Sequence, residues 1–215
     1  MSRVVYVGGF GNGRNSAERV GNALSAKFEE VDPFTFSDFV NHRREVQHAM
    51  QGVELVTHSA GALAIAHANS KPSFAYLFNP PLPRTVGGLL LRTVIKTVRM
   101  NTPGQGIHHT GDVASVASYS ASSVAEFAVH PVANLGNLRR ISRFNAIDAA
   151  INAKSAGIPL NLAWTRSDGY FMPTPSDLDR ARKNDIPVGM FQGEHDEVVL
   201  RPGAFLAQVF NSEQA

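Results

Sequence analysis

Short runs of Val, Ile, Leu and aromatic residues alternate along this chain with longer stretches in which apolar positions recur every three or four residues. Residues 3–7 (Arg-Val-Val-Tyr-Val) form the first run, which is short and β-branched and therefore predicts a buried strand. Ser16 is expected to cap a helix reaching Lys27, with Val20, Ala23 and Leu24 on one face. Residues 28–36 predict a second strand, broken by Pro33, and residues 37–50 a second helix. Residues 53–56 are the third strand, and the small residues of 60–68 favour a helix directly after it. Residues 73–78 (Ser-Phe-Ala-Tyr-Leu-Phe) predict a fourth strand, stopped by Asn79-Pro80-Pro81-Leu82-Pro83. Further on, a helix over 145–156 ends at Gly157, strands follow at 159–165 and 186–191, a helix over 177–183 separates them, and residues 202–210 close the chain as a helix. This alternation predicts the α/β class: a doubly wound, all-parallel sheet of about six strands covered on both faces.

Between Arg84 and Gly136 the rhythm changes. Leu89, Leu90, Ile95 and Val98 predict a helix that also carries Arg92, Lys96 and Arg99. Residues 101–112 read as loop and 113–129 as a helix of small residues, with no convincing strand.

Composition narrows the class. At 215 residues, with 43% hydrophobic and 18% charged, the chain suits one sizeable core and is not of the disordered type. No apolar run approaches the length of a membrane span. Met1-Ser2-Arg3-Val4 leads into the first strand without the pattern of a secretion signal. Cysteine is absent, so disulfides and thiolate metal sites are excluded, and a cytoplasmic location is expected. A net charge of +2 is too small to argue for nucleic acid. The basic residues at 92–99 are expected to form a solvated face rather than a membrane contact.

Two turns carry candidate chemistry. After the first strand comes Gly8-Gly9-Phe10-Gly11-Asn12-Gly13. A dinucleotide fingerprint counted from Gly9 would need glycine where Arg14 stands, and the lysine of a P-loop is missing. After the third strand comes Thr57-His58-Ser59-Ala60-Gly61, a serine in a tight strand-to-helix turn flanked by small residues. This stretch resembles the nucleophile elbow G-x-S-x-G of the α/β-hydrolases, with Gly61 in place and Thr57 where that family usually has glycine. Gly8-Gly9-Phe10 resembles the family's His-Gly-x turn, with Gly8 replacing the histidine. The resemblance implies Ser59 as nucleophile and an oxyanion hole made by the backbone N–H groups of Phe10 and Ala60, with Gly9 in the same turn. It also implies a core over residues 1–83 and 137–215 that lacks the family's first two strands, and a helical lid over 84–136.

In that family the nucleophile is followed along the chain by an acid and then a histidine, each at a strand end. Reading Asp196 as the acid leaves no histidine downstream. Asp168 after the 159–165 strand, with His195 after the 186–191 strand, satisfies the order, so the resemblance implies a Ser59-Asp168-His195 triad. His58 adjoins Ser59 but is expected to point away across the elbow. His42, His48 and His67 fall on predicted helices, and His108-His109 lacks the acidic neighbours of a metal site. Asp196 and Glu197 are expected to be solvated. The implied chemistry is hydrolysis of a small-molecule acyl ester without cofactor or metal. A C–C hydrolase or lyase using the same triad, and a non-catalytic ligand-binding protein of the same fold, stay open as alternatives.

Overall fold

The computed structural model describes residues 2–66, 71–89 and 131–212. Six strands among them form one sheet: β1 (Arg3–Val7), β2 (Glu30–Phe34), β3 (Glu54–His58), β4 (Phe74–Phe78), β5 (Leu160–Ser167) and β6 (Val188–Glu194). All neighbours are parallel, in the order β2-β1-β3-β4-β5-β6, so the expected doubly wound α/β architecture is the one observed.

The two-residue period of the strands divides the core. Val5, Val7, Leu55, Leu77, Leu162 and Trp164 face one side of the sheet. Val4, Tyr6, Val56, Tyr76, Phe78 and Ala163 face the other. The first side is covered by α2 (Phe36–Asn41), α3 (Arg43–Ala49), α4 (Leu63–Ala66), α5 (Pro131–Arg143), α6 (Ala146–Ser155) and α7 (Pro175–Lys183). The second is covered by α1 (Arg14–Leu24), α8 (Glu197–Leu200) and α9 (Pro202–Ser212). Strands buried on both faces need apolar residues at nearly every position, which is why they read as continuous hydrophobic runs. Each fully buried Val, Leu or Phe contributes about 1.5–3 kcal/mol.

The connections decide where a site can form. From β1 the chain crosses through α1 to the edge strand β2, and returns through α2 and α3 on the opposite face to β3. The strand order therefore reverses around β1, and a crevice opens at the carboxyl ends of the strands at such a switch point. The glycine-rich turn after β1 and the serine turn after β3 both lie there.

Several boundaries differ from expectation for identifiable reasons. Gly13, not Ser16, is the N-cap of α1; its carbonyl already accepts from Ser16 N (3.0 Å) and Ala17 N (3.2 Å), so the helix is under way by Ser16. β2 continues through Pro33 because it is an edge strand paired only with β1, where a missing N–H is tolerated. The helix expected over 37–50 divides at His42 (φ −119°, ψ 40°), and Thr35 and Asp38 cap its first piece reciprocally. A 3₁₀ turn, Ser59–Ala62, precedes α4. The expected lid falls largely outside the described residues, as do His67 and His108-His109, while α5 runs across residue 136. Among the described residues, no helix is long and apolar enough to cross a membrane.

Candidate active site

Ser59 is the first residue of the 3₁₀ turn that follows β3 without a spacer. Its φ of 52° is left-handed, a conformation that costs a residue with a Cβ about 1–2 kcal/mol. The surroundings enforce it through close approach. A Cβ at Gly61 would lie 2.1 Å from the Val7 carbonyl oxygen, and one at Gly9 would lie 2.9 Å from Ser59 Cβ. Glycine is therefore needed at 61 and 9. Thr57, by contrast, is a buried strand residue in register with Val7 and Leu77, where a side chain is accommodated. Gly61→Ala is expected to destabilise by about 3 kcal/mol or more, because two backbone segments would have to separate. Gly203→Ala, where a Cβ meets nothing, should leave stability nearly unchanged. Denaturant unfolding of the two variants side by side checks the contrast.

The structure brings three of the sequence-predicted side chains together. His195, just past β6, has Nε2 2.9 Å from Ser59 Oγ and Nδ1 3.0 Å from Asp168 Oδ1. Asp168, just past β5, also accepts at Oδ1 from the backbone N–H of Tyr170 (2.7 Å) and Phe171 (3.0 Å). Since the carboxylate only accepts, Nδ1 of His195 carries the proton and Nε2 is left to accept from the serine hydroxyl. All three residues are buried, with exposures of 8% for Ser59, 4% for Asp168 and 6% for His195. Gly9 touches Ser59, Phe10 follows it in the same turn, and Ala60 follows Ser59 in the first turn of a helix, where N–H groups lack an intrahelical acceptor.

Burial pushes the Asp168 carboxyl upward, but the electrostatic attraction and hydrogen bond of His195 and the two backbone N–H groups outweigh it, leaving the group below the usual 3.8. A carboxyl depressed in the folded state contributes stability that is complete above its unfolded pKa and is lost as pH falls through the folded value. Wild type is thus expected to lose stability more steeply below about pH 4 than Asp168→Asn, which lacks this ionisation. Urea midpoints measured from neutral to acid pH check it, and parallel curves would count against the ion pair.

No family model matches the sequence, and no curated protein matches it. Solved structures do match. A carboxylesterase from the thaumarchaeon Nitrososphaera gargenis superposes with a TM-score of 0.68 at 14% identity, over 99% of this chain and 90% of that one. A hydrolase from Oleispira antarctica gives 0.65 at 13% identity, over 98% and 91%. A meta-cleavage product hydrolase from Pseudomonas fluorescens gives 0.64 at 13% identity, over 99% and 92%. The chain has the α/β-hydrolase fold.

Within this α/β-hydrolase fold, the loop after β6 is built differently from the sequence expectation. Asp196 and Glu197 are buried, with exposures of 3% and 8%, rather than solvated. Val198 and Val199 draw the segment into the core as α8, and the Asp196 carbonyl accepts from Val199 N and Leu200 N. Asp168 remains the carboxylate bonded to the His195 ring.

Asn79 and His58 take a part at this site that the sequence did not assign to them. Asn79 Nδ2 donates to the His195 carbonyl at 2.7 Å, and Oδ1 of Asn79 accepts from Thr165 N (2.7 Å) and Thr165 Oγ1 (3.2 Å). His58 Nε2 donates to the same His195 carbonyl at 2.9 Å, while Nδ1 lies 3.2 Å from Asn12 Nδ2. The one sequence signal was Asn79 itself, a residue that tolerates positive φ (here 46°) placed between an apolar strand and Pro80-Pro81. The rings of Tyr170 (4.8 Å between centroids), His58 (5.1 Å) and Phe171 (5.5 Å) wall the His195 imidazole.

Among the described residues, His58, His195 and Asp196 form a cluster of possible metal ligands whose donor atoms lie within 4.8 Å of one another. Both ring nitrogens of each histidine are already engaged by protein groups. Coordinating an ion there would break the bonds that assemble Ser59, His195 and Asp168.

Proposed function

We propose that this chain is a serine hydrolase that cleaves a carboxylic ester-like bond of a small molecule through an acyl-enzyme. The observation that supports it most is the continuous hydrogen-bonded line Ser59 Oγ–His195–Asp168, with the serine in a left-handed turn at a strand end. A serine hydroxyl is a weak nucleophile until a base takes its proton. Here His195 Nε2 takes that proton as Oγ attacks the carbonyl carbon, and Asp168 stabilises the imidazolium and holds its tautomer. The N–H groups of Phe10 and Ala60 receive the oxyanion. His195 then protonates the leaving alcohol; water, deprotonated by the same imidazole, attacks the acyl carbon, and as the acyl–Oγ bond breaks His195 returns that proton to Ser59 Oγ and the acid departs. The chain's own residues carry every proton in this cycle.

We assign residues 84–136 to a lid lining the acyl pocket. Support comes from the chain on either side of it: Arg84 N donates to Ser142 O at 2.9 Å, and Ala146 N donates to Pro81 O at 3.0 Å, so the segments that flank the region are bonded to each other.

A fluorophosphonate probe tests the central assignment, since Ser59 Oγ displaces fluoride from phosphorus only if it is activated. The expected result is one adduct per chain on the peptide carrying Ser59. A folded protein that stays unlabelled would overturn the proposal. p-Nitrophenyl esters of graded length then define the acyl group. Because one structural neighbour is a meta-cleavage product hydrolase, labelling without ester turnover would shift the reading to C–C bond hydrolysis.

A further inference from the structure

The carbonyl oxygen of His195 is an uncommon acceptor. It takes two side-chain hydrogen bonds, from Asn79 Nδ2 at 2.7 Å and from His58 Nε2 at 2.9 Å, and both donor residues are buried (0% and 1% exposed). Two bonds use both lone pairs of the oxygen and fix the peptide plane beyond the base. The donors are themselves held. Asn79 sits at the end of β4 and is tied to β5 three ways: its N–H donates to Ala163 O at 2.7 Å, and its Oδ1 accepts from the N–H and the hydroxyl of Thr165. His58 ends β3 and directly precedes Ser59 in the chain. Because Nε2 faces a carbonyl, it must carry the proton, so Nδ1 is the acceptor of the Asn12 Nδ2–H. Asn12 belongs to the turn after β1, which closes through its own N–H to Gly9 O at 3.1 Å.

We propose that His58 and Asn79 are positioning residues that set the register of the base. Together they clamp the His195 backbone so that its two ring nitrogens meet Ser59 and Asp168 at once. This rests on the reading of His195 as the general base. The physical need is specific. His195 lies on a connection between β6 and the four-residue helix α8, beside Gly193 at φ 124°, and β6 is an edge strand of the sheet. Such a segment has few ladder bonds of its own to hold it. The His58 bond ties the backbone of the base to the residue next to the nucleophile, and the Asn79 bond ties it to the strand end that leads to Asp168. The distance Ser59–His195 is thereby fixed through a short covalent path from His58 to Ser59, and His195–Asp168 through Asn79, its hydrogen bonds to Thr165 and the three residues from Thr165 to Asp168. Displacements on the order of an ångström at a reacting pair cost about a hundredfold in rate.

The test compares three variants of the whole chain: His58→Phe and His58→Leu, which remove the donor, and His58→Gln, whose side-chain amide returns an N–H to the place of Nε2. For each, kcat and KM are measured on one p-nitrophenyl ester, together with the thermal midpoint and the downfield proton resonance of His195 Nδ1–H against Asp168. In the two donor-less variants the expected result is a kcat lowered by about tenfold to a hundredfold with KM within about twofold, and a broadened or lost downfield resonance. His58→Gln should regain most of kcat and the resonance. Undiminished kcat in the donor-less variants would overturn the proposal. So would equal losses in all three that follow the thermal midpoint, or unfolding of both donor-less variants beside an active His58→Gln, because the bond would then serve the fold and not the base. A protein with no ester turnover even as wild type would remove the functional reading alone. The His195 resonance would still decide whether His58 positions the ring.

Discussion

Ser59→Ala should lower kcat for ester hydrolysis by roughly four to six powers of ten, to the level that binding and the oxyanion donors sustain without a nucleophile. The alanine variant keeps the left-handed backbone that Ser59 adopts at φ 52°, so its stability should stay close to wild type. Ser59→Gly separates the two properties. Glycine has no Cβ to strain at positive φ, so Ser59→Gly should be equally inactive yet more stable than Ser59→Ala, by about 1 kcal/mol. Steady-state kinetics and denaturant unfolding on the same preparations give both readouts. An alanine variant that keeps near-wild-type turnover with its fold intact would exclude Ser59 as nucleophile. A glycine variant less stable than the alanine one would show that the turn is not strained.

The centre of the sheet was legible because β1, β3 and β4 are buried on both faces and so stand out as short, largely apolar runs in the sequence. The serine turn was legible because the approach of Gly61 to the Val7 carbonyl leaves room for no side chain, and that constraint is written as a glycine. Chain order then distinguished Asp168 and His195 from the other acids and histidines. What escaped the sequence is tertiary. Pro33 reads as a strand breaker unless β2 is known to lie at an edge. The bonds that His58 and Asn79 make to the His195 carbonyl join residues more than a hundred positions apart, with no period or spacing to announce them. Asp196 and Glu197 look like surface acids, and they are buried only because Val198 and Val199 carry them inward.

The same loop supplies the sharpest test of the acid. Asp168→Asn should lower kcat by up to about 10⁴-fold, because an amide in place of the carboxylate presents His195 Nδ1 with a neutral partner and favours the wrong tautomer. Asp196→Asn should cost roughly tenfold or less, since the carboxylate within hydrogen-bond distance of His195 Nδ1 is that of Asp168. Both acids are buried beside the same histidine, so a general effect of removing a nearby negative charge would appear in both variants. The geometry separates them: Asp168 Oδ1 lies 3.0 Å from His195 Nδ1 and is fixed from behind by Tyr170 N and Phe171 N, whereas Asp196 is the next residue in the chain, and adjacent side chains rarely face each other closely enough to align an imidazole. The two variants are assayed side by side with one ester over a range of pH, with thermal unfolding to confirm that each is folded. An inactive Asp196→Asn beside an active Asp168→Asn would transfer the role of the acid to the loop of α8. The hydrogen bond between Asp168 and His195 would then be structural, and the Ser59–His195–Asp168 line would lose its catalytic meaning.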